Sequence, residues 1–352
     1  MRSSRHIVRR LVLPLLTLAL VVVPSYSWLR AGHVPGRYVN RCQAAVFETD
    51  APPADLLLIG ASRTGFGFDT DLVDLRLSTA QRRHRTEKIV LLGNAESDTN
   101  MALRTYLRER GTPRSLGIEV LVTRTATGSA PARSGAALTG RSTALFGADA
   151  YSDLLDGLVR EDVVGRHDIY GRSYFPSPLN FFFQHLQIGF DNAWRNPGEM
   201  LDPLDGCERT VLPVWGPVAS APYTDATPRP STARIEKMKK DAGRYVKVNL
   251  DSRVVAGEAA VMRDVLRVAK SAGVKNVFLY YFPSFGETAD ILDLEKLTTM
   301  VPGVGLFDAR PVLADPTKPG LDLQFQDRAH LTKWAAHEVS VAFTDYLKGF
   351  SG

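Results

Sequence analysis

Residues 56–69, "LLLIGASRTGFGFD", decide how the chain is read. Leu56 to Ile59 is an unbroken aliphatic run, the pattern of a short strand covered on both faces. It stops at Gly60, a serine follows at position 62, and Gly65 and Gly67 keep the next turn open. A strand, a tight turn and then a helix would set Ser62 at the carboxyl edge of a sheet. There, backbone N–H groups at the start of the helix can face an oxyanion. Serine in such a turn also serves as a helix cap. From this segment alone both uses of Ser62 stand open.

Working outward, the run at 55–59 is followed by similar ones at 88–92, 118–122 and 276–281, and by a weaker one at 304–307. Helical patterns lie between them, including "TNMALRTYLRER" (99–110) and "GEAAVMRDVLRVAKSAG" (257–273). The closing "LTKWAAHEVSVAFTDYLKGF" places Trp334, Val339, Val341 and Phe343 near one apolar stripe. Strands alternating with helices predict a three-layer α/β/α sandwich over 55–350, on a mainly parallel, five-stranded, flavodoxin-like sheet. Ligands of such sheets gather at the carboxyl ends of the strands. The interval from about 125 to 235 breaks the rhythm, with the aromatic cluster "YGRSYFPSPLNFFFQHLQIGF", which includes His185, and reads as a long insertion over one side of the sheet. That cluster is either the insertion's own core or a groove for an acyl or sugar group. "RIEKMKKDAGRYVK" (234–247) reads as a solvated helix face.

The formal charge of +5 suggests an anion-binding chain until it is located. Arg2, Arg5, Arg9 and Arg10 carry four of the basic groups, so the rest of the chain sets 39 basic side chains against 38 acidic ones. That near-neutral body argues against a nucleic-acid binder. The four arginines precede "LVLPLLTLALVVV" (11–23), as in an export segment. Residues 1–29 therefore read as a membrane anchor or a cleaved signal, with Tyr26 and Trp28 as interface anchors in the first case and Ser25-Tyr26-Ser27 as the cleavage site in the second. Residues 30–54 form a polar spacer, and the remainder is expected outside the cytoplasm. The only cysteines, Cys42 and Cys207, are free to pair in that setting, but sequence separation says nothing of their distance. Neither has the spacing of a metal or redox site, and no metal or nucleotide cofactor is implied.

A second motif bears on Ser62. In "LQFQDRAHLTKWAAHEVS" (323–340), Asp327 and His330 are three positions apart. A serine hydroxyl needs an imidazole to take its proton, and the imidazole needs a carboxylate to fix its tautomer. Of seven histidines, His330 alone has such a partner and a following apolar helix to hold it. The alternative is an Asp helix cap beside an incidental histidine.

Taken together, "IGASRTGFGFD" and Phe325-x-Asp327-x-x-His330-Leu331 resemble the serine and Asp-His blocks of the SGNH (GDSL-like) hydrolase and acyltransferase superfamily. The closest resemblance is to its membrane-tethered branch, which accompanies membrane-bound O-acyltransferases in alginate acetylation and teichoic acid D-alanylation. The likeness covers roughly 50–125 and 250–350. It implies Ser62 as nucleophile, His330 as general base and Asp327 as its orienting partner. It further implies O-acyl transfer, most simply acetyl, to a cell-envelope or exopolysaccharide, with an acyl donor and a membrane-bound O-acyltransferase as partners. A free secreted esterase or lipase of the same fold, and a non-catalytic polysaccharide-binding subunit, are the alternatives. The chain departs from the family where the oxyanion hole belongs. Ser97 stands in the expected glycine's place, and no Gly-x-Asn-Asp follows the third strand, leaving Asn94 as a candidate amide or a turn former. Losing one oxyanion donor costs about 100- to 1000-fold in rate. Arg63, next to the serine, would bind a sugar carboxylate or acyl carbonyl, or else pair with Asp69 or Asp71.

Overall fold

The structure, a computed structural model, describes residues 47, 50–91, 96–121, 222, 224, 231–242, 248–251, 253–287, 292–314 and 320–350. The apolar run at 11–23, Cys42, Cys207, Asn94, His185 and nearly all of the 125–235 insertion lie outside those residues. Among the described residues no helix is long and apolar enough to cross a membrane.

Five parallel strands form one sheet in the order β2-β1-β3-β4-β5. They are β1 (Leu56–Gly60), β2 (Thr86–Val90), β3 (Ser115–Glu119), β4 (Asn276–Tyr281) and β5 (Gly305–Asp308). All strand pairs are parallel, so the sheet is wholly parallel over these residues. β1 is an inner strand between β2 and β3, and all five of its residues are buried, as its aliphatic run requires. β3 begins three residues before the expected 118–122 run. Ser115 and Gly117 lack the apolar signature of a strand, yet they hold the register against Leu56 and Leu58. Gly117 has no alternative there, since an added Cβ would stand 2.7 Å from both the Leu58 side chain and the Phe278 ring.

Alternate residues of the strands feed two separate cores. Leu57, Ile59, Leu116, Ile118, Leu279 and Tyr281 face one side, under α3 (Glu96–Glu109), α5 (Arg253–Ser271) and α6 (Leu294–Met300). Leu56, Leu58, Phe278 and Tyr280 face the other, under α1 (Ser62–Gly67), α2 (Thr70–Leu77), α4 (Thr232–Ala242) and α9 (Lys333–Phe350). Two short helices, α7 (Arg310–Leu313) and α8 (Leu321–Gln324), lie between β5 and α9. The layers are thus helix, sheet and helix, the three-layer α/β architecture expected.

α9 buries Ala335, Ala336, Val339, Phe343 and Leu347. Trp334 and Val341, expected on that stripe, flank it half-buried, because the stripe's centre follows 335/336, 339, 343 and 347. α4 exposes its lysines as expected but turns Ile235 and Met238 into the second core.

Candidate active site

Ser62 opens α1 directly beyond the carboxyl end of β1. It is not a cap. Ala61 holds the N-cap position and no side chain caps the helix, so the hydroxyl of Ser62 is left for another partner. That partner is His330, whose Nε2 lies 2.8 Å from Ser62 Oγ. On the other side of the ring, Nδ1 lies 2.7 Å from Asp327 Oδ2. A carboxylate only accepts, so the ring proton sits on Nδ1 and the lone pair of Nε2 faces the serine hydroxyl, which donates to it.

The Asp-x-x-His segment is shaped locally. Phe325 and Leu331 form an antiparallel bridge, both side chains buried, and the intervening residues make an exposed tip. Asp327 Oδ1 accepts the amides of Ala329 at 2.8 Å and His330 at 3.0 Å, while Oδ2 takes the ring. Of the two readings of Asp327, imidazole partner and helix cap, the first is realised and the second is not: its amide bonds close the tip itself, and α9 begins only at Lys333. Partial burial pushes its carboxyl up, but the bonds from His330 and the two amides outweigh that and hold it below the ordinary value. The tip is tied to the sheet by Phe285 N–H, which donates to Arg328 O at 2.8 Å. Phe66 of α1 lies against the imidazole with ring centroids 4.6 Å apart.

Beneath the serine lies a buried polar group that the sequence reading passed over. Glu119, at the carboxyl end of β3, is buried, and its Oε2 accepts Ala61 N–H at 2.7 Å and Thr64 Oγ1–H at 2.6 Å. Its Oε1 meets Arg63 Nε at 2.8 Å, as an ion pair rather than an aligned hydrogen bond. The same guanidinium donates to Phe282 O at 3.1 Å and Val120 O at 3.4 Å. Arg63 is thereby turned under the serine and pairs with Glu119 rather than with the expected Asp69 or Asp71. Asp69 instead caps α2 by accepting Leu72 N–H. A lone carboxylate in the apolar run "LGIEVLV" was the available signal, since a buried charge demands partners.

The donors around Ser62 can be accounted for. Ala61 N–H goes to Glu119, and Thr64 and Gly65 N–H return to Ala61 O. No acceptor among the described residues takes the amides of Ser62 and Arg63, which open the helix and have no carbonyl behind them. They are candidate oxyanion donors. Ser97 falls in the first turn of α3, with its side chain outside the described residues. Among the described residues no cluster of His, Cys, Asp and Glu is arranged to hold a metal ion. The structure thus brings Ser62, His330 and Asp327 together and directs Arg63 elsewhere.

No protein-family model matches the chain, and no curated protein is significantly similar to it.

Proposed function

We propose that the protein is an SGNH-like serine O-acyltransferase or esterase that works through an acyl-enzyme on Ser62. The observation that supports this most is the continuous Oγ to Nε2 to Nδ1 to Oδ2 relay, with steps of 2.8 and 2.7 Å, at the carboxyl edge of a parallel sheet. As Ser62 Oγ attacks an acyl carbonyl, His330 Nε2 takes its proton, and the imidazolium is stabilised across the ring by Asp327. The same proton then goes to the departing oxygen. The ester on Ser62 is opened by an acceptor hydroxyl, whose proton passes to Nε2 and from there to the departing Ser62 Oγ, which restores both the free serine and the neutral imidazole. A sugar hydroxyl as acceptor gives transfer, and water gives hydrolysis.

On this reading the acceptor is an envelope or extracellular polysaccharide. The amino-terminal apolar segment holds the domain at the outer face of a membrane, beside a membrane-bound O-acyltransferase that supplies the acyl group. The support for that setting is the arginine-flanked run at 11–23 together with the two family-like blocks. A purely accessory role has no use for an imidazole whose two nitrogens are both engaged as the relay needs.

The full-length chain is treated with a fluorophosphonate and with a chromogenic acetyl ester. A single covalent adduct on Ser62, and ester turnover lost by at least about 10⁴-fold in Ser62→Ala, are expected. An unlabelled Ser62, or a Ser62→Ala protein that keeps its turnover, overturns the proposal.

A further inference from the structure

The relay accounts for one side of Ser62; the other side is occupied by a carboxylate that performs no proton transfer. Residues 61 and 64 each donate a hydrogen bond to Glu119, from a backbone amide and a hydroxyl, and residue 63 adds the ion pair of its guanidinium. Of the tetrapeptide 61–64 only Ser62 escapes, and its side chain points to His330. We infer that Glu119 is a positioning residue, a buried clamp that fixes the backbone on both sides of the nucleophile and so aims Oγ at the imidazole.

Three features carry this. One is chemical. Two donors and a cation converging from three neighbouring residues need an anion that only accepts, and among side chains only a carboxylate is both. The second is steric. β1 ends on Gly60, where an added Cβ would fall 2.4 Å from Glu119 Oε2 and 2.0 Å from Thr64 Oγ1, so strand and carboxylate are packed without slack. The third is a further tie. Tyr280 OH donates to Ile59 O at 3.0 Å and lies 2.7 Å from Thr64 Oγ1, linking the clamp to β1 and β4 together. Burial, and then the charge of Glu119, push the Tyr280 phenol well above its ordinary value, so it remains a donor. The nucleophile's turn is thus referenced to three adjacent strands, β1, β3 and β4, rather than to its own short helix.

The inference rests on the acyl-enzyme reading for its kinetic consequence but not for its structural one, and both can be measured on one variant. Glu119→Gln keeps the shape and turns one acceptor oxygen into a donor facing donors. A displacement of the reacting atom by about 1 Å costs about 100-fold, so the rate of fluorophosphonate labelling of Ser62 in the full-length variant is expected to fall about 10- to 100-fold. The fraction of molecules finally labelled should stay complete and the pH midpoint of labelling should stay where it is, because Asp327 and His330 are untouched. A variant that was only less stable would lose labelled fraction and keep its rate. Hydrogen exchange at Ala61 N–H, expected to be at least about tenfold faster in the variant, reads the clamp without any chemistry.

Labelling within about twofold of the wild-type rate overturns the inference. So does an unchanged exchange rate at Ala61. If the wild-type protein does not label while exchange at Ala61 accelerates in the variant, the clamp stands and the acyl-enzyme reading fails. Should Glu119→Gln not fold, Thr64→Val removes one of the three ties without adding a donor, and a fall of about 3- to 10-fold in labelling rate is expected. An unchanged rate in that variant overturns the inference equally.

Discussion

The two halves of the site are built in opposite ways. The serine turn sits on the sheet, with Gly60, Thr64 and Glu119 buried beneath it and the Arg63 side chain only 14% exposed. The Asp327–His330 tip is more open, with the Asp327 side chain 53% exposed, and is shaped by bonds among its own residues with a backbone tie outward, from Phe285 N–H to Arg328 O. One half is fixed by long-range burial, the other by short-range hydrogen bonding closed off by the Phe325–Leu331 bridge. The difference teaches where substitution should register. Changes at the tip should cost chemistry and leave the fold alone, whereas changes under the serine should cost both.

The sharpest way to break that contrast is His330→Ala. Ester turnover should fall by about 10⁴-fold or more, with a melting temperature lowered by only about 2–5 °C, because among the described rings the imidazole packs on Phe66 alone and its bonds go to Asp327 and Ser62. A large drop in melting temperature would show that the tip is part of the core after all. Next comes Gly60→Ala, which changes no reactive atom. Its methyl group would have to displace Thr64 Oγ1 and the Glu119 carboxylate, so a loss of about 2–3 kcal/mol in denaturant unfolding is expected together with weaker Ser62 labelling. Full stability with full labelling would mean that the turn has room the contacts deny.

The smallest effect is pH-dependent. The Asp327 carboxyl lies below its ordinary value in the folded chain, so its ionised form favours folding. That contribution is complete above the ordinary carboxylate range and is lost as pH falls through the lowered value. Thermal melts of Asp327→Asn should therefore show a slightly shallower loss of stability below about pH 4 than wild type. Exposure keeps the difference small, and coincident acid limbs would mean that the Asp327–His330 bond contributes nothing in solution.

How much of this is legible in the sequence follows the same division. Strands β1 and β4 are readable because double-sided burial writes continuous aliphatic or aromatic runs. β3 is displaced because Ser115 and Gly117 fit a crowded register that no apolar pattern reveals. Asp327 and His330 are readable because their geometry is local, three positions apart on one turn. Glu119 is not, since its partners at 61 and 64 lie 58 and 55 positions away. Arg63 is misjudged for the same reason. Its sequence neighbours Asp69 and Asp71 are nearer along the chain, but Asp69 is engaged in capping α2, and the carboxylate within reach of the guanidinium comes from another strand.

Ser62 and His330 stand 268 positions apart, and the helix that seats the histidine is the last described element of the chain. A polypeptide made from its amino end therefore carries Ser62 without its imidazole partner until at least 268 further residues have been added. On the acyl-enzyme reading, the relay closes only when the segment that carries His330 docks against β1 and α1, so folding of this late segment and the arming of Ser62 are a single event.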